Sequence, residues 1–174
     1  EILPSDWSSD VCSSDLILIS ACLCGIHCRY DGAHNLISEC RALYMNHNAI
    51  IVCPEIMGGL STPRCPCEIQ DGDGSDVLKK RARVITAAGV DCSDAFIKGA
   101  QLTSALAKRY KVNLAVFKSR SPSCGVRCIY DGSFSRTLRT GSGVTAALLQ
   151  AQNIQVITET DFINHKERFT FASR

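Results

Sequence analysis

The sequence predicts an α/β protein with a mainly parallel sheet that is covered by helices on both faces. Three observations predict this class: short apolar segments recur along the chain, segments of helical length separate them, and turn residues stand between the two. Strands that alternate with helices pair in parallel, because each helix returns the chain to the starting edge of the sheet. The 174 residues, of which 45% are hydrophobic, suffice for one compact core.

The predicted strands are short apolar runs bounded by turn residues. Four of them make up the parallel sheet, at residues 16–21, 49–52, 112–117 and 156–158. A small hairpin is predicted where residues 83–86 and 90–92 flank the turn sequence Ala-Ala-Gly. The sheet is therefore expected to hold four strands, with the hairpin as a separate addition.

The predicted helices carry apolar residues at helical spacing, and the longest covers residues 93–110. Shorter helices are predicted at residues 38–47, 76–81 and 144–152. Residues 54–67 are rich in Gly and Pro and are predicted as a long loop. A glycine-rich loop is predicted after the third strand of the sheet.

The first fifteen residues differ in composition from the rest of the chain. They are rich in Ser and Asp and show no sustained hydrophobic period. We expect residues 1–15 to be a disordered lead-in or a sequence artefact, and Cys12 is left out of the chemistry for that reason. Residues 16–174 are expected to form a single α/β domain.

Charge and hydropathy exclude several classes of partner. The formal net charge of +2 gives no general preference for polyanions. No apolar run approaches the ~20 residues that span a bilayer, and residues 16–23 have the character of a buried strand rather than a signal peptide. We therefore expect a cytoplasmic protein without a membrane partner. The sequence leaves its oligomeric state open.

Eleven cysteines are many for a chain of this length, and an odd number cannot pair completely into disulfides within the chain. In a reducing compartment they are thiols, metal ligands or reactive groups. Cys22, Cys53 and Cys124 each follow a predicted strand of the parallel sheet. Because the carboxyl ends of parallel strands meet at one edge, we expect these three thiols to converge.

Thiolates are soft ligands that select zinc, copper(I) or iron–sulfur clusters. Structural zinc sites usually use close Cys-x-x-Cys pairs, and this chain has none. Ligands drawn singly from three loops suit a polynuclear cluster better. A cubane cluster normally takes four thiolates, and Cys28 is the possible fourth ligand. Three ligands would leave one iron open to a substrate.

Polar side chains stand beside these cysteines in the sequence. Glu55 follows Cys53 by two residues, and Ser121 precedes Cys124 by three. A carboxylate next to an open metal position can accept or donate a proton, and a serine can hydrogen-bond a substrate. The alternative is that Glu55 is a solvated loop residue and Ser121 a turn residue.

Other functions remain open from the residues alone. A cluster with four cysteine ligands and no open iron would serve as a sensor or an electron carrier. A zinc ion would make the protein a structural module. The absence of Cys-x-x-Cys weighs against a thiol oxidoreductase.

Four sequence segments together resemble the thiouracil desulfidase family: ILISACLCGIHCRYDG, VCPEIMGGLSTPR, SRSPSCG with IYDGSFS after it, and GSGVTAALL. They run in order from about residue 16 to residue 159. The resemblance implies a small Rossmann-like three-layer domain and a 4Fe–4S cluster. It implies three cluster ligands, Cys22, Cys53 and Cys124, and an open fourth iron that accepts the sulfur of a thiolated uracil. Glu55 and Ser121 fall on positions that the family uses in catalysis.

The activity that the resemblance implies is a non-redox, hydrolytic desulfuration of thiouracil or thiouridine that releases hydrosulfide. Relatives also act on thiouridine in transfer RNA, but the modest charge favours a small thiolated pyrimidine here. This sequence departs from the family pattern in carrying additional cysteines, one of them where leucine is usual: Cys24, Cys40, Cys65, Cys67, Cys92 and Cys128. We expect most of these cysteines to be packing substitutions.

Overall fold

The computed structural model describes residues 16–168. Residues 1–15, predicted as a lead-in, and residues 169–174 lie outside the described residues. The central sheet consists of the four predicted strands, now placed at Ile17–Ser20 (β1), Ala49–Val52 (β2), Leu114–Phe117 (β5) and Gln155–Thr158 (β8). Their spatial order is β2-β1-β5-β8 and every pair is parallel.

Helices cover both faces of this sheet, which confirms the predicted three-layer α/β class. Side chains alternate along β1, so that Leu18 faces one core and Ile17 and Ile19 face the other. The first core is closed by two helices, Ser93–Arg109 (α4) and Val144–Ala151 (α5). The second core is closed by Ser38–Met45 (α1) and Glu159–Asn164 (α6). Among residues 16–168, no helix has the length and apolar character that a membrane span requires.

The small hairpin predicted at residues 83–86 and 90–92 is present as a short antiparallel pairing: Ile85 bridges Asp91, and the Cys92 amide donates to the Val84 carbonyl at 2.8 Å. The prediction missed the main partner of this strand, because Arg83–Thr86 (β4) also pairs antiparallel with Cys67–Gln70 (β3). The first residue of β3 lies in the segment predicted as a loop, and the rest of β3 follows it. Four residues are too few to show a period, so β3 has no clear signal in the sequence.

Two further predictions need correction. The glycine-rich loop after β5 contains two short antiparallel strands, Cys128–Tyr130 (β6) and Leu138–Thr140 (β7). The short helix predicted at residues 76–81 is instead Gly74–Leu78 (α3). It begins earlier because Asp73 caps its first turn, with Asp76 closing the reciprocal capping box.

The segment predicted as a long loop also holds a short helix, Pro54–Met57 (α2), with Pro54 at its first position. This helix lies directly on α4, and two glycines allow the contact. A Cβ at Gly99 would stand 1.9 Å from the carbonyl oxygen of Pro54, and a Cβ at Gly58 would stand 2.0 Å from that of Ala95. The close approach fixes the position of the chain that follows β2.

We expect Gly99→Ala to destabilise the protein by about 1–3 kcal/mol or more, because the added methyl group forces α2 away from α4. Chemical denaturation followed by circular dichroism measures the change. Gln101→Ala is the matched control, since residue 101 is exposed on the same helix and its replacement should change stability by less than ~0.5 kcal/mol. Equal unfolding midpoints for Gly99→Ala and the native chain would contradict the packing described.

Candidate active site at the sheet edge

The carboxyl ends of three neighbouring strands bring the predicted site residues together. Ser20 at the end of β1 lies opposite Val52 at the end of β2, so both strands stop at the same level. Cys53 follows β2 directly and Cys22 follows β1 by two residues. On the other side of β1, the amide of Lys118 after β5 donates to Ser20 Oγ at 3.0 Å. The loops after all three strands therefore begin side by side.

A cavity of about 570 Å³ opens at this edge, within the range of small-molecule sites. All six residues that the sequence singled out lie in its wall: Cys22, Cys28, Cys53, Glu55, Ser121 and Cys124. The convergence expected from parallel strands is therefore present, and it includes the possible fourth ligand. The roles of these residues remain predictions.

Cys28 is the thiol that links Cys22 and Cys53 in this part of the cavity. Cys53 Sγ donates to the Cys28 carbonyl oxygen at 3.8 Å, and the Cys28 side chain interacts with those of Cys22 and Cys53. This contact lowers the pKa of Cys22 despite burial, and it lowers the pKa of Cys53 to about 7. The pKa of Cys28 itself is raised, first by these same contacts and then by burial. Cys22 and Cys53 are thus the two of these three thiols that ionise most readily.

Cys124 completes the set from the other side of the cavity. Burial raises the pKa of Cys124 well above its ordinary value, although Ser20 hydrogen-bonds its side chain. Its backbone is held by Ser121, whose Oγ accepts the amides of Ser123 and Cys124 at 3.1 Å each. This serine turn places Cys124 at the cavity wall although six residues separate it from β5.

Glu55 projects from the first turn of α2 and is held in a buried ion pair. Arg64 contacts Glu55 Oε2 through Nε at 2.7 Å and Nη2 at 2.6 Å. The exposed fractions of the two side chains, 15% for Glu55 and 8% for Arg64, show that the pair is shielded from solvent. Ser121 Oγ donates to the other oxygen, Glu55 Oε1, at 3.5 Å. The carboxylate therefore stands between an arginine and a serine.

Lys118 also lines the cavity, and it is paired with Glu159. Lys118 Nζ contacts Glu159 Oε1 at 2.5 Å, and the Ser119 amide donates to Glu159 Oε2 at 2.8 Å. Burial opposes ionisation of Glu159, but Lys118 and Ser119 hold its pKa below the ordinary value. The Lys118 ammonium also helps to lower the pKa of Cys22, although less than the Cys28 contact does.

Glu68 on β3 anchors the part of the cavity wall that contains two aromatic residues. Its Oε2 accepts the amides of Gly132 and Phe134 at 3.0 Å each. This anchors the loop between β6 and β7, and Tyr130 and Phe134 from this hairpin line the cavity. Flat apolar side chains in such a wall suit a planar ring.

Sequence reasoning missed Arg64, Lys118 and Glu68 as site residues. Arg64 stands in the quoted segment VCPEIMGGLSTPR, so the family resemblance was the one signal available for it. Nothing in the periodicity around Lys118 or Glu68 distinguishes these residues from solvated charges.

Two of the additional cysteines are structural. The Cys24 thiol donates to the carbonyl oxygen of Cys40 at 3.4 Å, and both residues are buried in the core that α1 closes. Burial raises the pKa of each to about 12. A buried thiol that stays protonated is inert, so both act as small apolar residues, as predicted.

The donor chemistry of the cavity suits a thiolate-bound cluster. Soft sulfur donors come from three separate loops, and two of them, Cys22 and Cys53, have a lowered pKa. Within residues 16–168, no group of three or more His, Cys, Asp or Glu side chains surrounds a single metal-ion position. A polynuclear cluster distributes its thiolate ligands over several irons, so these ligands need not meet at one point.

Comparison with known proteins establishes the family. A model described as 2-thiouracil desulfurase matches residues 17–161, which is most of the chain. The protein belongs to the 2-thiouracil desulfurase family. An uncharacterized protein, YbbK from Bacillus subtilis (strain 168), is 46% identical over 146 residues, covering 84% of this chain and 97% of the relative. These matches confirm the resemblance to the thiouracil desulfidase family that four sequence segments indicated.

A solved structure supports the same assignment. The [4Fe-4S]-dependent thiouracil desulfidase TudS superposes on this chain with a TM-score of 0.78 and 35% sequence identity. The match covers 88% of this chain and 97% of TudS. The fold described above is therefore that of a 2-thiouracil desulfurase along nearly its whole length.

Proposed function

We propose that this protein is a 4Fe–4S-dependent desulfidase that replaces the sulfur of a thiolated pyrimidine with oxygen and releases hydrosulfide. The observation that carries the proposal is the meeting of thiols from three separate strand ends with a buried carboxylate and a serine in one cavity. Membership of the 2-thiouracil desulfurase family supports the substrate class. The [4Fe-4S] dependence of TudS supports the cofactor.

Cys22, Cys53 and Cys124 would hold the cluster, because they come from three neighbouring strand ends and all line the cavity. When bound through three thiolates, such a cluster supplies an iron without a protein ligand, which is a Lewis acid towards a thiocarbonyl sulfur. Cys28 would then line the cavity without a bond to iron.

Glu55 performs the proton transfers in this proposal, and Ser121 orients the reacting groups. Glu55 Oε1 accepts a proton from the attacking water, and Ser121 Oγ, 3.5 Å from that oxygen, orients the water or the substrate. Glu55 later returns the proton to the departing sulfur. The new hydroxyl loses its remaining proton as the carbonyl forms. A thiocarbonyl and water therefore enter, a carbonyl, hydrosulfide and one proton leave, and no electrons are transferred. The reaction is thus hydrolytic and needs no oxidant or reductant.

The cavity suits a small substrate. Its volume of about 570 Å³ accommodates a thiolated base or nucleoside, and Tyr130 and Phe134 offer flat surfaces to a pyrimidine ring. The net charge of +2 gives no general attraction for transfer RNA. We therefore favour thiouracil or thiouridine as substrate, and a cytoplasmic location in which the thiols stay reduced.

Turnover of thiouracil tests the proposal. Protein reconstituted with iron and sulfide in the absence of oxygen should bleach the thiocarbonyl absorbance of thiouracil and release sulfide in equal amount. Uracil, which has no sulfur, is the control substrate and should release none. A complete cluster that releases no sulfide from any thiolated base or nucleoside would refute the proposed activity.

A four-ligand cluster in a sensor or electron carrier is the second candidate function. One observation favours it: Cys28 lines the same cavity as the other three cysteines, and its carbonyl oxygen accepts from Cys53 Sγ at 3.8 Å, so a fourth thiol is present for a complete ligand set. In that case Cys28→Ala would lose the cluster as completely as Cys22→Ala does. Under the proposed activity, Cys28→Ala keeps its iron.

A further inference from the structure

We propose that Arg64 is a positioning residue that fixes which oxygen of Glu55 is available to the reaction. The inference rests on the proposed role of Glu55 in proton transfer. It adds a residue that acts through Glu55 and does not itself contact the reacting atoms.

Arg64 contacts only one of the two carboxylate oxygens of Glu55, and the other oxygen stays available to other partners. Its Nε and Nη2 both contact Glu55 Oε2, at 2.7 and 2.6 Å. An arginine–carboxylate pair frequently uses both oxygens in two parallel bonds, but here the fork closes on one oxygen. Oε1 is left 3.5 Å from Ser121 Oγ. Oε2 is therefore held by the arginine, and Oε1 is the oxygen that is available for proton transfer.

The arginine is itself fixed by its surroundings. Nη1 donates to the Ser61 carbonyl at 3.1 Å and to Thr62 Oγ1 at 3.2 Å, and Nη2 donates to the Cys28 carbonyl at 3.1 Å. All three guanidinium nitrogens are therefore engaged, and the side chain is only 8% exposed. Arg64 cannot turn without breaking several of these bonds. Because the guanidinium is fixed, it also fixes the orientation of the Glu55 carboxylate.

These contacts tie the proposed base to two of the cysteine loops. Through the Cys28 carbonyl, Arg64 joins Glu55 to the loop that carries Cys22 and Cys28. Glu55 Oε1 is linked to the loop after β5 by Ser121, whose Oγ donates to Oε1 and accepts the Cys124 amide. A lysine in place of Arg64 has one ammonium and cannot reach these partners with fork geometry. Arg64→Lys should therefore fail to restore the position of Glu55.

A double-mutant cycle tests the inference with Arg64→Met, Glu55→Gln and the combined variant. We expect Arg64→Met to lower kcat by about 10²-fold, as a misplaced catalytic group does, with iron content unchanged. KM should change by less than about threefold. The combined variant should be no slower than Glu55→Gln alone, because Arg64 acts only through Glu55. Arg64→Lys should remain impaired.

The matched control is Arg81→Met. Arg81 also places Nε and Nη2 on a single carboxylate oxygen, Asp76 Oδ1, at 3.1 and 2.7 Å, but its side chain is 63% exposed and does not line the cavity. Its replacement should leave kcat, KM and iron content at native values.

A second readout needs neither cluster nor substrate. In metal-free protein, urea denaturation should show a lower midpoint for Arg64→Met in the native background. The further loss should be smaller when Glu55 is already Gln, because only the bonds to Ser61, Thr62 and Cys28 are then lost in full. Independent effects of the two substitutions on kcat or on the midpoint would overturn the inference. So would loss of iron in Arg64→Met, or full rescue of kcat by Arg64→Lys. A native protein with a complete cluster and no turnover would instead refute the proposed function.

Discussion

Serine in place of Cys22, Cys53 or Cys124 should abolish iron binding and with it desulfuration. Loss of residues that merely orient a metal ligand typically costs 10–100-fold in affinity, so loss of a ligand is expected to cost at least about 100-fold. Iron and acid-labile sulfide counts after reconstitution without oxygen measure the effect. Each variant should retain native secondary structure, because serine is close to cysteine in volume.

The control for these variants is Cys65→Ser, since Cys65 is exposed and does not line the cavity. It should bind iron and release sulfide as the native protein does. Cys28→Ala should keep its cluster, and its loss of iron would indicate four cysteine ligands instead of three. Full iron content in any one of the Cys22, Cys53 or Cys124 variants would remove that residue from the proposed ligand set.

Glu55→Gln should keep its cluster and lose about 10²–10⁴-fold in kcat, which is the range that a general acid–base group contributes. The amide keeps an oxygen for Arg64 but cannot accept a proton from water. Sulfide release under substrate saturation, measured beside iron content, separates this effect from cluster loss. Glu167→Gln is the control, because the Glu167 side chain is 68% exposed.

Ser121→Ala should reduce kcat less than Glu55→Gln, because it removes an orienting group and keeps the base. Its iron content must be measured as well, since Ser121 Oγ also accepts the Cys124 amide. Near-native turnover by Glu55→Gln with a complete cluster would show that another group moves the proton.

The sequence predicted the sheet and its helices because both depend on local patterns. Residues 17–19 of β1 are apolar on both faces, which is typical of a central parallel strand, and the segment of α4 is long enough for a helical period to show. The pairing of β3 with β4 and that of β6 with β7 join short segments that carry no period. Which strands pair here depends on tertiary packing, and tertiary packing cannot be inferred from the local pattern of a single sequence.

The candidate site was predictable to the extent that topology determines it. Cys22, Cys53 and Cys124 meet because parallel strands end at one edge, and that rule needs only the strand positions. Arg64 was not predictable in the same way. Its ion pair with Glu55 depends on the path of the loop between α2 and β3, for which local patterns give no rule.

We propose that three cysteine thiolates hold a 4Fe–4S cluster and leave one iron without a protein ligand. Crystals of the protein reconstituted and grown without oxygen, measured at the iron absorption edge, test it most directly. We expect anomalous density for about four irons in the cavity, bonded to sulfur atoms of Cys22, Cys53 and Cys124 and to no other cysteine. A cluster bonded to Cys28 as well, or a single metal ion at this position, would contradict it.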